Sequence, residues 1–327
     1  MFYLFSIFAL APKGSFMPKA IHFIFNPSEI GAGTRGASLG PEAIRAAART
    51  KGSQLFAQHP IKVITEQNDL LDHTSPFPFA KNIDGLQKVF DSLNSNIAST
   101  IANGAFPLII AGDHSSAAGT LAALKKAHPQ KRIGVIWIDA HADIHSPYTT
   151  PSGNMHGMPI AAALGLDHQD IAKNQLDTET QQHWDALKSH AFSAQDLVYI
   201  GVRDTEEEED HVMATLKLRN YSVAEIREKS LTVCLEEIKN KLAACDLLYV
   251  SFDVDSIDPI ETSYGTGTPV ANGISFQEAA TMLAFFAQDP RLCALEIVEV
   301  NPCLDDEKNK MAEQALNLIE NILSHLQ

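Results

Sequence analysis

The 327-residue chain has little cysteine and a shortage of basic residues. Its four cysteines (Cys234, Cys245, Cys293 and Cys303) lie far apart and form no Cys-x-x-Cys pair, which argues against a disulfide scaffold and against a zinc-thiolate or redox motif. Twenty-five lysines and arginines against 40 acidic residues leave a formal net charge of −15. This charge argues against binding to nucleic acid or to an anionic membrane. Because the four cysteines are expected to remain reduced thiols, we predict a cytoplasmic protein.

A hydrophobic run long enough to span a membrane is also lacking. The apolar stretch at residues 2–11 is too short to cross a bilayer, and no basic segment precedes it as in a secretion signal. Met17 stands just before the first predicted strand. We therefore interpret residues 1–16 as a tail or a mis-assigned start, with a secretion signal as the alternative, and residues 17–327 as a single domain.

Apolar residues make up 45% of the chain. Their arrangement along the sequence predicts a doubly wound α/β fold. They occur in short, nearly continuous runs, which are typical of strands buried on both faces of a parallel sheet. Helical patterns separate these runs, as right-handed crossovers require. The predicted strands cover residues 20–25, 61–65, 107–111, 133–139, 197–202, 247–253 and 294–298. The predicted helices cover residues 41–51, 83–103, 116–128, 235–244, 276–288 and 307–326.

A glycine-rich segment early in the chain resembles a dinucleotide-binding fingerprint but lacks its context. Gly31, Gly33 and Gly36 fit the spacing GxGxxG. The glycines of a true fingerprint directly follow a strand, and an acidic residue stands about 20 residues further on. Neither condition is met here, so the segment is interpreted as a turn.

Polar groups gather where the predicted strands stop. Because the carboxyl ends of parallel strands form one edge of the sheet, where ligands bind in such folds, we expect these groups to lie together. They come from five strands and are Asp113, His114, Asp139, His141, Asp143, Arg203, Asp204, Asp253, Asp255 and Glu299.

The spacing of the acids and histidines at these strand ends predicts a metal centre. In an extended segment, the Asp-Ala-His-Ala-Asp sequence at 139–143 places three ligands on one side, and Asp253 and Asp255 repeat the spacing. Carboxylates crowded at a buried edge require a cation. With His114, the four carboxylates and two imidazoles suit two divalent ions. Mn²⁺ fits best, with Co²⁺, Ni²⁺, Fe²⁺ or Zn²⁺ as alternatives.

Such a pair of ions suggests hydrolysis. Two neighbouring metals can hold a bridging water as hydroxide at neutral pH, and this nucleophile can attack an unreactive carbon. His156, in a polar loop, is suited to relay protons near pH 7. Glu299 is suited to bind a cationic group.

Six ordered motifs resemble the ureohydrolase family, and its arginase branch most closely. The resemblance runs from about Ala20 to the C-terminus. It implies a three-layer αβα fold with a mostly parallel sheet of about eight strands. It also implies two Mn²⁺ ions per chain and hydrolysis of L-arginine to L-ornithine and urea by a metal-bridging hydroxide. The motifs are AGDHS (111–115), DAHAD (139–143), SGNMHGMP (152–159), SFDVDSIDP (251–259), GTGTPV (265–270) and VEVNP (298–302).

The same resemblance implies a role for each matched residue at the metal centre. Asp139 and Asp253 would bridge the two metals, and Asp143 would also take a proton after the attack. His156 matches a proton-shuttling histidine, and Glu299 matches a guanidinium-binding glutamate. The full implied ligand set is His114, Asp139, His141, Asp143, Asp253 and Asp255.

Substrate contacts are implied at the other end of the site. Ser152 and Asn154 match the loop that binds the α-carboxylate of arginine. Thr268 matches a threonine near the guanidinium, and Asp204 matches the first acid of an Asp-x-Asp motif. Two positions depart from the family pattern: His145 replaces an asparagine, and Glu206 replaces the second aspartate, which helps to hold the α-amino group.

Other functions remain open on the sequence alone. A related ureohydrolase would act on agmatine, guanidinobutyrate or formiminoglutamate, a deacetylase-like enzyme would use one metal, and an idle binding protein would regulate a partner. We favour L-arginine because the Ser-Gly-Asn loop is not part of the agmatinase pattern. We also expect a homo-oligomer, a trimer or hexamer, by resemblance.

Overall fold

One parallel sheet of eight strands runs through the part of the chain that the structure, a computed structural model, describes, residues 20–326. The predicted tail at residues 1–16 lies outside the described residues. All eight strands belong to this sheet, which supports our proposal that residues 17–327 form one domain. The strands are β1 (Ile21–Asn26), β2 (Ile61–Val63), β3 (Phe106–Ala111), β4 (Ile133–Ile138), β5 (Leu197–Ile200), β6 (Arg219–Tyr221), β7 (Leu247–Asp253) and β8 (Leu292–Val298).

The strand order explains where a ligand can bind. It is β2-β1-β3-β8-β7-β4-β5-β6, and neighbouring strands pair in parallel throughout. The strands β3 and β4 follow one another in the chain, but β8 and β7 separate them in the sheet. Where the order of strands reverses in this way, the loops leave the sheet in opposite directions and a crevice opens at the carboxyl ends of the strands.

Helices cover both faces of the sheet and confirm the three-layer α/β fold. Along β1, Phe23 and Phe25 belong to one apolar cluster and Ile24 to the other, as the two-residue period of a strand requires. The first cluster includes residues of α1 and α8–α11, and the second includes residues of α3–α7. The helices are α1 (Gly40–Lys51), α2 (Leu55–Gln58), α3 (Ile83–Ala102), α4 (Ser116–Ala127), α5 (Pro159–Leu164), α6 (Thr178–Leu187), α7 (Glu207–Thr215), α8 (Val223–Lys229), α9 (Leu231–Lys241), α10 (Phe276–Ala287) and α11 (Lys310–His325).

Burial of the central strands matches their apolar sequence. Every residue of β3 and of β4 is buried. The sequence did not predict β6, a three-residue strand at the edge of the sheet with two half-buried polar residues. Such a strand carries no apolar run because only one side of it pairs. Among residues 20–326, no helix is both long and apolar enough to cross a membrane.

Candidate metal centre and active site

The carboxyl ends of three central strands bring the first group of candidate ligands together. His114 follows β3, Asp139 follows β4, and Asp253 is the last residue of β7. His114 Nδ1 lies 3.0 Å from Asp139 Oδ2 and 3.1 Å from Asp253 Oδ2. Asp143 Oδ2 lies 3.1 Å from the same nitrogen. Four predicted ligands therefore meet at one buried point.

A second group of candidate ligands shares one member with the first. Ligand atoms of Asp139, His141 and Asp255 lie within 4.8 Å of one another. His141 Nδ1 is 3.1 Å from Asp255 Oδ2 and 3.5 Å from Asp139 Oδ1. Asp139 thus lies between two adjacent candidate metal positions. The structure brings together all six residues that the sequence predicted as ligands.

Unsatisfied polar atoms indicate that these groups fit a cation. His114 Nδ1 and Asp139 Oδ2 are buried and have no hydrogen-bond partner among the described residues. The imidazole can donate only one proton from Nδ1, yet three carboxylate oxygens surround that nitrogen. Buried polar groups are almost always satisfied. A divalent cation bound by the nitrogen and oxygens would satisfy both atoms.

The electrostatics of the site support the same interpretation. Burial, followed by repulsion from Asp255 and Asp139, raises the pKa of Asp253 well above its usual range. Burial and the charge of Asp139 raise the pKa of Asp143 to about 6. Carboxylates crowded out of water disfavour their charged forms unless an opposite charge lies among them. Two divalent cations would supply that charge.

The backbone reaches this arrangement by turns rather than by an extended segment. We expected residues 139–143 to alternate as in a strand, and this detail is wrong: β4 ends at Ile138, and Asp143 has a φ of 50°. The carboxylate of Asp139 accepts a hydrogen bond from the His141 N–H at 2.7 Å. Asp253 and Asp255 repeat this turn at 2.8 Å. A short-range side-chain bond therefore bends each chain segment over the sheet edge.

Two neighbours of His114 were not among the predicted site residues. His114 Nε2 lies 2.8 Å from Ser251 Oγ, and the ring stacks on Trp137 with centroids 4.0 Å apart. These contacts fix the ring with Nδ1 toward the carboxylates. A signal for Ser251 was present, because it stands two residues before Asp253 and shares its face of β7.

A cavity of about 340 Å³ opens above the candidate ligands. Its walls include seven of the predicted site residues outside the metal groups, namely His145, Ser152, Asn154, His156, Asp204, Glu206 and Thr268. Thr268 Oγ1 donates to Asp255 Oδ2 at 2.9 Å. Glu299 is not among the residues that line the cavity. The predicted substrate contacts, with that exception, share one space with the metal groups.

Glu299 lies behind His156. Its Oε1 accepts from the backbone N–H of His114 at 2.9 Å and lies 3.3 Å from His156 Nδ1. Burial lowers the pKa of His156, but the hydrogen bond and charge of Glu299 outweigh it and raise the pKa to about 9. The half-buried His156 at the cavity wall thus pairs with the buried Glu299 behind it.

The two residues that depart from the family pattern contact each other. His145 Nε2 donates to Glu206 Oε2 at 3.2 Å, and its Nδ1 lies 3.0 Å from Thr149 Oγ1. The hydrogen bond from His145 is the main cause of the lowered pKa of Glu206, about 2. Glu209, whose carboxylate accepts from the Glu206 N–H at 3.2 Å, closes the start of α7. The histidine and glutamate are therefore a matched pair, held by the first turn of a helix.

Comparisons with known proteins agree with this geometry. The model of the Arginase family matches residues 19–324. The arginase of Bacillus subtilis is 32% identical over 319 residues, covering 94% of this chain and 98% of that protein. The crystal structure of Entamoeba histolytica arginase in complex with L-ornithine has a TM-score of 0.81 at 28% identity, covering 94% of this chain and 99% of that one. Formimidoylglutamase of Bacillus subtilis shares the fold, with a TM-score of 0.72 at 19% identity, covering 97% of this chain and 96% of that one. The chain belongs to the arginase family of hydrolases.

Proposed function

We propose that this protein hydrolyses L-arginine to L-ornithine and urea at a binuclear divalent-metal centre, with two Mn²⁺ ions per chain and Co²⁺ as a substitute. The observation that carries the proposal is the pair of ligand groups joined by Asp139 beneath one cavity. The similarity to arginases over nearly the whole chain supports the substrate.

Six side chains would hold the metals. His114, Asp143, Asp139 and Asp253 would hold one ion, and His141 and Asp255, together with Asp139 and Asp253, would hold the other. When bound, two divalent cations acidify a water that they share and so supply a nucleophile at neutral pH. Mixed carboxylate and imidazole ligands without thiolate are the donors that Mn²⁺ accepts.

The chain itself would move protons and orient the guanidinium. Asp143 touches His114 and lines the cavity, so its carboxylate is placed to take a proton released during the attack. His156 lines the cavity and is backed by Glu299, so it is placed to deliver a proton to the departing amine of ornithine. Glu299, at 2% exposed, would attract the guanidinium through its charge.

The opposite end of the cavity would hold the amino-acid part of the substrate. The hydroxyl of Ser152 and the amide of Asn154 are donors suited to a carboxylate. Glu206, oriented by His145, and Asp204 would attract the α-ammonium group. Thr268 would support the guanidinium end through Asp255.

The charge of the cavity favours agmatine as the second candidate. Within residues 20–326, six carboxylates line it without any lysine or arginine, and such a wall suits a cationic substrate that lacks a carboxylate. Guanidinobutyrate and formiminoglutamate are further candidate substrates. A cytoplasmic location and a homo-oligomeric assembly, a trimer or hexamer, remain predictions from the sequence.

A pair of matched variants tests the metal-dependent function. Asp253→Asn should reduce bound Mn²⁺ from two per chain to less than one, and urea release from L-arginine should fall to background. Asp246→Asn makes the same change at the residue that precedes β7, at the end of the strand away from the cavity. There the carboxylate contacts Lys131 and the Arg132 N–H. It should keep two metals and full activity. Two bound metals in Asp253→Asn would contradict the ligand assignment.

A further inference from the structure

The cavity offers the carboxylate of an amino-acid substrate the neutral donors of Ser152 and Asn154, in a wall whose charged groups are mostly acidic. In the described part of the chain, no lysine or arginine lines it, and the carboxylates that do are Asp143, Asp204, Glu206, Glu209, Asp253 and Asp255. Even with two divalent ions bound beneath, an anion entering at the outer end passes the charges of Asp204 and Glu206. Like charges in a narrow cleft repel an incoming ligand. A positive charge near the Ser152–Asn154 loop would therefore favour a substrate with a carboxylate.

Lys81 supplies a positive charge at this loop from outside the cavity wall. Its Nζ donates to Asn154 Oδ1 at 3.1 Å. Its backbone N–H donates to the carbonyl of Gly153 at 2.8 Å. The lysine is exposed and belongs to the segment just before α3, 73 residues away in sequence. Both contacts reach the same loop.

The segment that carries Lys81 packs closely against the loop. Gly153 has a φ of 73°, a conformation that glycine adopts without strain. A Cβ at this position would clash with the carbonyl oxygen of Pro78. The backbone of residues 78–81 thus lies directly against the loop, and the Lys81 N–H bond joins the two. This contact holds the Lys81 backbone beside the loop, within reach of the hydrogen bond from its ammonium group to Asn154.

The lysine also decides which atom Asn154 presents to a ligand. Asn154 Oδ1 accepts from Lys81, which leaves the Nδ2 group as the donor for another partner. A carboxylate can only accept hydrogen bonds, so it binds the Nδ2 group and is repelled by Oδ1. Ser152 is arranged in the same way, because its Oγ accepts from the Asn154 N–H at 3.2 Å and keeps its own proton to donate.

We propose that Lys81 is a positioning residue for substrate specificity: its ammonium group orients the Asn154 amide as a donor and selects substrates that carry a carboxylate. The inference rests on the proposed function and assigns the choice of arginine over agmatine to a residue outside the cavity wall. It acts on substrate binding, not on the metal centre.

Steady-state kinetics of three variants with L-arginine and agmatine test the inference. Lys81→Met should lower kcat/KM for L-arginine about tenfold, through KM with little change in kcat. The same variant should change kcat/KM for agmatine by less than twofold. Lys81→Arg, which keeps the charge and a donor, should recover most of the loss with L-arginine. Lys88→Met removes an exposed lysine from α3 and should leave both substrates unaffected.

Binding measurements separate a failure of this inference from a failure of the proposed function. By calorimetry, Lys81→Met should bind L-ornithine about tenfold more weakly than the wild type and bind putrescine, which lacks the carboxylate, equally well. An equal loss with both ligands, or no loss with L-ornithine, overturns the inference whatever the activity. A wild type that binds L-ornithine in the Lys81-dependent manner but releases no urea from L-arginine overturns only the proposed function. A wild type that does not bind L-ornithine overturns both.

Discussion

At the scale of single residues, His145 and Glu206, the two positions where the sequence departs from the pattern expected of the family, contact each other. An imidazole is longer than the asparagine it replaces, and a glutamate is one methylene longer than aspartate. The two side chains meet at 3.2 Å at the cavity wall, and Thr149 supports the far side of the ring. The pair thus keeps an oriented carboxylate at the cavity wall, where we propose that the α-ammonium group binds.

Removing the histidine should weaken substrate binding without affecting the metals. In His145→Ala, Glu206 loses its partner and its fixed orientation, so kcat/KM for L-arginine should fall about tenfold, close to the lower end of the effect of losing a hydrogen bond to a charged group. Metal content by atomic absorption should stay at two per chain. His211→Ala, a half-exposed histidine on α7, serves as the control and should change neither quantity. A loss of metal in His145→Ala would mean that the residue belongs to the metal centre instead.

At the scale of secondary-structure elements, glycine contacts determine how closely the site loops approach the sheet edge. Gly112 follows β3 and precedes the candidate ligand His114 by two residues. Its carbonyl accepts from the Glu299 N–H at 3.0 Å, and its own N–H donates to Asn26 O at 2.9 Å. A Cβ here would clash with the carbonyl of Ser28. Three loops therefore meet at a position that has no room for a side chain.

A single added methyl group at this position should loosen the site. Gly112→Ala should lower the free energy of unfolding by about 1–3 kcal/mol, as overpacking does elsewhere, and should weaken Mn²⁺ binding because it displaces the His114 loop. Chemical denaturation and metal titration measure the two effects. Gly157→Ala adds the same methyl where a Cβ meets no atom of the described residues within 4 Å, and its stability should stay within about 0.5 kcal/mol of wild type. Equal stability of both variants would show that the loops around Gly112 can move to accommodate the methyl group.

Central elements were predictable from sequence and peripheral ones were not. The runs at 133–139 and 247–253 were within one residue of β4 and β7, because strands buried on both faces carry continuous apolar sequence. The short helices α2, α5 and α8 were missed, as was β6. A helix of six or seven residues, such as α5 or α8, has fewer than two full turns to display a periodic pattern.

Site residues were predictable when local spacing revealed them and not when only the fold brought them close. The paired acids at 139–143 and 253–255 repeat a spacing that points to one edge, so the ligand groups followed from the sequence. Lys81 carries no such signal, because its link to Asn154 spans 73 residues and depends on the packing of a loop. Trp137 resembled any other core aromatic until its ring was found stacked on His114.

At the scale of the whole molecule, the candidate metal centre connects three strands that lie apart in sequence. His114, Asp139 and Asp253 come from the ends of β3, β4 and β7, in the middle of the sheet. Without cations, burial and then mutual repulsion disfavour the charged forms of these carboxylates, as the raised pKa of Asp253 reflects. The bound metals should therefore stabilise the folded chain as well as serve the reaction.

Metal removal should lower the thermal stability of the wild type but not that of a variant that lacks a metal ligand. Free Mn²⁺ at 100 times its dissociation constant should stabilise the chelated protein by about 2.7 kcal/mol for each ion bound, seen as a rise in Tm. Asp139→Asn should show almost no rise, since Asp139 belongs to both ligand groups. The exposed Asp185→Asn should respond as the wild type does. A rise in Asp139→Asn equal to that of the wild type would place the stabilising ions elsewhere.

The most direct test of the central claim is urea release from L-arginine and from agmatine, compared side by side. The protein is stripped with chelator and reloaded with Mn²⁺ or Co²⁺, and its metal content is counted before the assay. We predict two metals per chain, no urea before reloading, and release that is selective for L-arginine afterwards. Release from agmatine alone would contradict the assignment of the amino-acid end of the cavity. No urea from either substrate, with two metals bound, would contradict the proposed reaction.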